Sequence, residues 1–190
     1  MNETKKLNEY RIQNSYDDYF KGHGIDIGCG TDVLSKSVFR NIDSIIPYDK
    51  IFDDNNDAMH CKNLNNDEFN FVYSSHCLEH VIDPYEAFSN WLRICKPLGY
   101  LIVAIPHEIF YEKYKWPSIY NPDHKTSWSL EFKSNLPKSI DVMDFLKCFD
   151  KDISLISCQT IVKDFDFNRF FEDQTKENAV CQIEFIVRKN

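Results

Sequence analysis

Two stretches of this chain carry residue types and spacings that could do chemistry. In GIDIGCGTD, residues 24–32, Gly28 and Gly30 let the backbone turn sharply and come close to a ligand. Any helix beginning nearby would aim its N–H groups at the same point. A dinucleotide site would need G-x-G-x-x-G, but the third glycine position is taken by Val33, whose side chain would obstruct a phosphate. What remains is Asp-x-Gly-x-Gly, with the Asp26 carboxylate two residues before the first glycine. It suits a ligand that carries an ammonium group and no phosphate, and S-adenosylmethionine has that chemistry. Further on, Asp49 ends a short apolar run, where a carboxylate can accept hydrogen bonds from both hydroxyls of a ribose. An ordinary tight turn and a solvated strand-end carboxylate are the plainer alternatives for these two features.

The second stretch, His76-Cys77-Leu78-Glu79-His80, fits H-x-x-E-H, the zinc-peptidase spacing in which two histidines of a helical turn hold metal and the glutamate activates water. That chemistry needs a helix and a third ligand. The segment instead follows a strand tip, and no second helix offers a partner, so Glu79 and His80 are expected to fix the loop by hydrogen bonds and no metal is expected.

The elements that must position these residues follow from hydrophobic patterning. Strand signals at His23 to Ile27, Ser44 to Tyr48 and Phe69 to Tyr73 each end in a glycine or polar tip. Asp83 and Pro84 read as the cap and first turn of a helix carrying Phe88, Trp91, Leu92 and Cys95 on one face, ending at Lys96-Pro97. Tyr100 to Ile105 is a continuous apolar run of the kind found in strands covered on both faces. Residues 107–139 form a long aromatic stretch without periodicity, expected to border an acceptor site. A helix at Val142 to Phe149 and strands at Ile153 to Val162 and Ala179 to Arg188 close the chain, separated by an acidic excursion near Asp164 to Lys176. The expected architecture is α/β, a Rossmann-like doubly wound and mostly parallel sheet with one antiparallel strand near an edge. One domain over residues 1–190 is expected, with an N-terminal segment, 1–20, containing a short helix over residues 3–20. Short connections around Asp49 imply that one or two crossover helices are reduced to turns.

Composition narrows the function classes. With a net charge of −8, the surface repels polyanions, so nucleic acid is not an expected partner. No apolar run approaches a bilayer span and the first residues lack an apolar leader, so a cytoplasmic location without membrane attachment is expected. The 7 cysteines are scattered and odd in number, which fits reduced thiols rather than a disulfide framework.

Read in order, DIGCG, Asp49, DAMH at residues 57–60, FNFVYSSHCLEHV at 69–81 and CKPLGYLIV at 95–103 resemble the class I S-adenosylmethionine-dependent methyltransferases of the type 11 branch. The resemblance covers roughly residues 20–107 and rests on the order of five motifs. It departs at Leu98-Gly99, where the family commonly has Gly-Gly, and at Asp32, which replaces the third glycine of the first motif. The resemblance implies S-adenosylmethionine as cofactor, with Asp26, Gly28, Cys29 and Gly30 on the methionine and ribose side. It further implies Asp49 at the ribose, Asp57 and Ala58 at the adenine, and Ser74 and Ser75 at the methionine end.

Methyl transfer from a sulfonium is an in-line displacement, so the protein must align the acceptor and, for a hydroxyl, remove a proton. His76 and His107 each follow the carboxyl end of a strand, where such folds place their ligands. Asp123 could orient His124 as a base, and Trp116 and Tyr120 could stack on a sugar or another planar face. Glu108 and Tyr111 are further acceptor-pocket candidates. For each histidine, anchoring a loop is the competing role. The stretch from Trp116 to Lys125 also resembles a segment of some methyltransferases associated with surface-polysaccharide gene clusters. The expected reaction is therefore transfer to an oxygen or nitrogen of a small molecule or glycan precursor. A non-catalytic S-adenosylmethionine-binding subunit serving a partner is the alternative; oligomeric state is not legible.

Overall fold

The apolar runs become strands whose tips converge on one edge. The structure is a computed structural model that describes residues 3–190. Its strands are β1 (Gly22–Ile27), β2 (Ile42–Tyr48), β3 (Phe69–Ser75), β4 (Cys95–Pro106), β5 (Ser127–Ser129), β6 (Ser139–Asp141), β7 (Ile153–Lys163) and β8 (Val180–Lys189). Six of them form one sheet in the order β2-β1-β3-β4-β8-β7, while β5 and β6 pair separately. β1 runs parallel to β2 and β3, and β3 to β4; β8 is antiparallel to both β4 and β7. The expected Rossmann-like α/β sheet is thus present, its one antiparallel strand next to the edge. The carboxyl ends of β1, β2 and β3 lie side by side, carrying Gly28, Asp49 and His76 just beyond them.

The helices are α1 (Glu3–Lys6), α2 (Asn8–Gln13), α3 (Pro84–Ile94) and α4 (Val142–Lys147). The Asp83 carboxylate accepts from the Tyr85 and Glu86 N–H groups, satisfying donors that the first turn of α3 leaves free. α3 buries Phe88, Trp91 and Leu92 against Leu101, Val103 and Phe185 of the sheet. It stops at Ile94 rather than at Lys96-Pro97, because the residues before a proline favour extended backbone and Cys95 already begins β4. The segments between β1 and β2 and between β2 and β3 contain turns and no helix. Both crossovers are therefore reduced.

The opposite sheet face is covered by the N-terminal segment. The single helix expected over residues 3–20 is broken into α1, α2 and a short 3-10 turn at Tyr16–Asp18. The break lies at Asn14 and Ser15, where Asn14 closes the end of α2 and Ser15 takes a left-handed backbone, φ 61°. Tyr16 and Phe20 pack with Phe71, Tyr73, Ile102 and Ile186. Arg11, fully buried, reaches Glu184 on β8 (Nη2 to Oε2, 2.6 Å) and lies over the Tyr73 ring; the Tyr16 hydroxyl donates to the other Glu184 oxygen at 2.5 Å. No helix among the described residues is long and apolar enough to cross a membrane.

Candidate active site

Beyond the strand tips lie two adjoining clefts, of about 680 and 440 Å³, that share Gly28, His76 and His80 on their walls. The larger is lined by Asp49, Asp57, Ala58 and Met59, the smaller by Cys29, Gly30, Ser75, Glu79, Tyr111 and His124.

The glycine turn is built for two different reasons. Gly28 has φ 68°, and a Cβ there would meet Cys77 Sγ at 2.2 Å, so the position has no room for a side chain. At Gly30, φ 51°, a Cβ would meet nothing within 4 Å, leaving open space on the cleft side. The Gly30 and Ile51 N–H groups donate to the two oxygens of Asp49, each at 3.0 Å. Asp49 thereby ties the turn to its own strand end while its carboxylate keeps lone pairs toward the cleft. Asp57 accepts from the Met59 N–H at 2.9 Å and faces His60 Nδ1 at 2.6 Å. Burial is the largest influence and opposes its charge, but the hydrogen bonds from His60 and Met59 and the His60 and Lys50 charges together hold the carboxyl below its usual range. The Ala58 carbonyl accepts from Trp91 Nε1, which fixes that wall against α3. Cys29 is on the wall of the smaller cleft, its thiol pushed up to about 12 by burial and so kept protonated. The Ser75 hydroxyl is buried on that wall without a hydrogen-bond partner among the described residues. A carboxylate beyond the end of β2 with lone pairs free, open space above Gly30 and an orphaned hydroxyl together fit S-adenosylmethionine.

Several expected site residues lie elsewhere. Asp26 sits beneath the turn, fully buried, its Oδ2 accepting from the Leu34 N–H at 2.7 Å; burial pushes its pKa up to about 8. Ser74 is also behind the wall, donating to the Ile27 carbonyl across β3 and β1. Neither lines a cleft, because both side chains point to the inside of the sheet layer rather than off its edge. His107 is buried away from both clefts, its Nδ1 accepting from the Ile109 N–H, and burial alone lowers its pKa to about 4. It is a neutral ring that closes a turn. Glu108 is buried and accepts from the hydroxyls of Ser127, Ser134 and Ser139. Tyr120 is engaged by the Phe171 carbonyl and the Tyr111 ring, and neither it nor Trp116 lines a cleft.

The remaining candidates converge, with different partners from those expected. Asp123 does not orient His124; its carboxylate, largely exposed, lies 2.9 Å from His80 Nδ1 and 2.8 Å from Lys125 Nζ. His124 is held instead by Glu112, Nδ1 to Oε1 at 2.6 Å. Burial pulls the His124 pKa down, but the Glu112 hydrogen bond and the Glu79 charge together carry it above the usual imidazole value. His76, with φ 55°, presents Nε2 to Gln182 Oε1 at 3.2 Å. Between the three rings stands Glu79, buried, with no hydrogen-bond partner among the described residues on either carboxylate oxygen. Its Oε1 is 3.7 Å from His76 Nδ1, 3.7 Å from His80 Nε2 and 3.9 Å from His124 Nε2. The H-x-x-E-H spacing signalled three of these residues, though on a 3-10 turn, Leu78–His80, rather than an α-helix. Glu112, Asn121 and the Glu3-Thr4 end of the N-terminal segment, the last three lining the smaller cleft, carried no sequence signal.

A family model described as a methyltransferase domain matches residues 8–144. Among solved structures, the chain is similar to a protein from Listeria monocytogenes described as an S-adenosylmethionine dependent methyltransferase, with 14% identity, 98% of this chain and 99% of that one covered, and a TM-score of 0.63. It is also similar to a SAM dependent methyltransferase from Archaeoglobus fulgidus, with 18% identity, 98% and 94% covered, and a TM-score of 0.56. The YcgJ protein of Bacillus subtilis aligns over 95% of this chain and 97% of its own at 11% identity and a TM-score of 0.60. No curated protein matches the sequence significantly.

Proposed function

As a member of the methyltransferase domain family, this chain is an S-adenosylmethionine-dependent methyltransferase, and we propose that it methylates an oxygen or nitrogen of a small molecule or glycan precursor. The observation that carries the proposal is the second cleft. It opens directly beside the glycine turn, shares Gly28 with the larger cleft and has imidazoles of His76, His80 and His124 on its walls. A subunit that only held S-adenosylmethionine for a partner would need no such space. In this reading the larger cleft takes the adenosine, with Asp49 at the ribose and Asp57 and Ala58 beside the adenine. Gly30, Cys29 and Ser75 border the methionine end.

The cofactor supplies an electrophilic methyl group, and the protein's task is to hold the acceptor in line with it and take up a proton. A volume of about 440 Å³ admits a monosaccharide-sized or similar polar acceptor rather than a polymer segment. The polysaccharide assignment rests on the resemblance of the stretch from Trp116 to Lys125 alone. Calorimetric titration with S-adenosylhomocysteine, followed by a radiolabelled methyl-transfer screen of hydroxyl and amine acceptors of sugar size, tests the proposal. Saturable binding with transfer to such an acceptor supports it. Binding without transfer to any acceptor until a partner protein is added would favour the subunit reading instead.

A further inference from the structure

On the wall of the smaller cleft, Glu79 is only 1% exposed, and neither of its oxygens has a hydrogen-bond partner among the described residues. An unpaired carboxylate in such surroundings is costly, and the protein could relieve it by a small rotation of any of three neighbouring imidazoles. It does not do so. Nitrogens of His76, His80 and His124 stop at 3.7, 3.7 and 3.9 Å from Glu79 Oε1, all outside hydrogen-bond reach. Each ring is meanwhile gripped at its other nitrogen: His124 by Glu112, His80 by Asp123 and His76 by the Gln182 side-chain oxygen. This is the arrangement of metal-binding histidines, where an outer acceptor sets the tautomer and turns the free nitrogen toward the ion. Glu79 Oε1 stands 3.7 and 3.9 Å from the free nitrogens of His80 and His124, near the separation of about 3.3–3.6 Å between tetrahedral ligands held at about 2.0–2.2 Å, and the three atoms all lie within 4.8 Å of one another, so a cation there would draw the two imidazoles slightly inward.

We propose that Glu79, His80 and His124 bind a divalent first-row transition cation such as zinc or manganese, with His76 on its flank, and that the cation receives a hydroxyl of the methyl acceptor. Two imidazoles and one carboxylate suit such ions better than calcium, which takes oxygen ligands. Three protein ligands leave a coordination position open toward the cleft, as in catalytic rather than structural sites. The ligand set differs from the zinc-peptidase pattern of the same spacing, since the glutamate is itself a ligand and the third donor, His124, comes from the segment after β4. That segment is brought in by backbone hydrogen bonds from Lys125 and Thr126 to the Glu79 carbonyl.

The second half of the proposal rests on the methyltransferase reading and deepens it. A hydroxyl held against a divalent cation loses its proton at far lower pH than in water. The proton passes to solvent, the oxygen lone pair forms the new O–C bond, and the C–S bond breaks with its electron pair left on sulfur. The products are a methyl ether and S-adenosylhomocysteine. An amine acceptor would gain nothing from this arrangement, so the acceptor atom is assigned as oxygen.

The test uses the full chain, stripped with a chelator and titrated with Co²⁺ under visible absorption, with Zn²⁺ in competition. One equivalent is expected to bind with ligand-field bands, to be displaced by zinc, and to be weakened at least tenfold in Glu79→Gln, His124→Gln and His80→Asn. His80 is partly exposed, so its variant reads the site even if a buried replacement fails to fold. No saturable cobalt binding by the parent, or binding unchanged in all three variants, overturns the site. Turnover that needs no cation, or that favours amines over hydroxyls, overturns its role. Titration of the same preparation with S-adenosylhomocysteine separates the readings: donor binding without cobalt binding removes only the metal, while loss of donor binding removes the methyltransferase assignment of the clefts.

Discussion

The proposed donor end and the proposed acceptor end of the site are built in opposite ways. At the donor end, Asp57 is bound to Met59 and His60, and Asp49 to Ile51, all within three residues along the chain; Asp49 to Gly30 and the Ala58 carbonyl to Trp91 Nε1 reach further, across 19 and 33 residues. At the acceptor end, His80 meets Asp123 across 43 residues and His76 meets Gln182 across 106. Local turns keep their geometry when distant parts move, whereas a cluster gathered from four segments exists only when the whole sheet is in register. The two ends should therefore fail independently, except at the wall they share.

Gly28 is that wall, and its replacement is expected to have the largest effect. Gly28→Ala places a side chain 2.2 Å from Cys77 Sγ on a left-handed backbone, which should cost about 2–5 kcal/mol in denaturant unfolding and abolish both donor and cobalt binding. A variant that melted like the parent and bound both would show that the two ends do not depend on this contact. Asp49→Ala should act on one end only. Losing a charged acceptor for the ribose hydroxyls is expected to weaken S-adenosylhomocysteine by about 10–100-fold, with cobalt affinity unchanged. Glu112→Gln is the converse: it removes the carboxylate behind His124 and should lower cobalt affinity by about tenfold or more while donor affinity stays. If either variant moved both affinities together, the two ends would be one cooperative unit.

The last expected effect is one of pH and touches neither end. The folded-state pKa of Asp26 is raised by burial to about 8, above an unfolded value near 3.9. Its contribution to stability is therefore complete below about pH 4 and is lost as pH rises toward 8. Asp26→Asn stays neutral throughout, so its melting temperature should fall less than that of the parent between pH 5 and pH 8. Equal slopes would mean that Asp26 is already ionised in the folded protein across this window.

Much of the frame is legible in the amino-acid sequence. Strand positions, the Asp83-Pro84 start of α3 and the Asp-x-Gly-x-Gly turn depend on periodicity, caps and backbone freedom, which are properties of neighbouring residues. The N-terminal segment departs from the single helix expected of it because its polar pattern carries no sign of the break at Ser15, or of the burial of Arg11 against Glu184 on β8. Among site residues, Asp49 and Gly30 stand on the cleft walls because they follow the ends of β2 and β1, and Asp57 because the turns after β2 carry it there. Asp26, Ser74 and His107 have the same chemistry, but one position or one rotation puts their side chains behind the sheet edge.

Short-range order along the chain thus encodes the Rossmann-like sheet, the Asp-x-Gly-x-Gly turn and the family. Which histidines share a site, and what holds them, is set by long-range packing. It passed over His107, gave His124 to Glu112 rather than to its neighbour Asp123, and left Glu79 unpaired at the centre. The physical reason is that the partner of a buried charge is chosen by the register of strands and loops far apart in the chain, which no local pattern records.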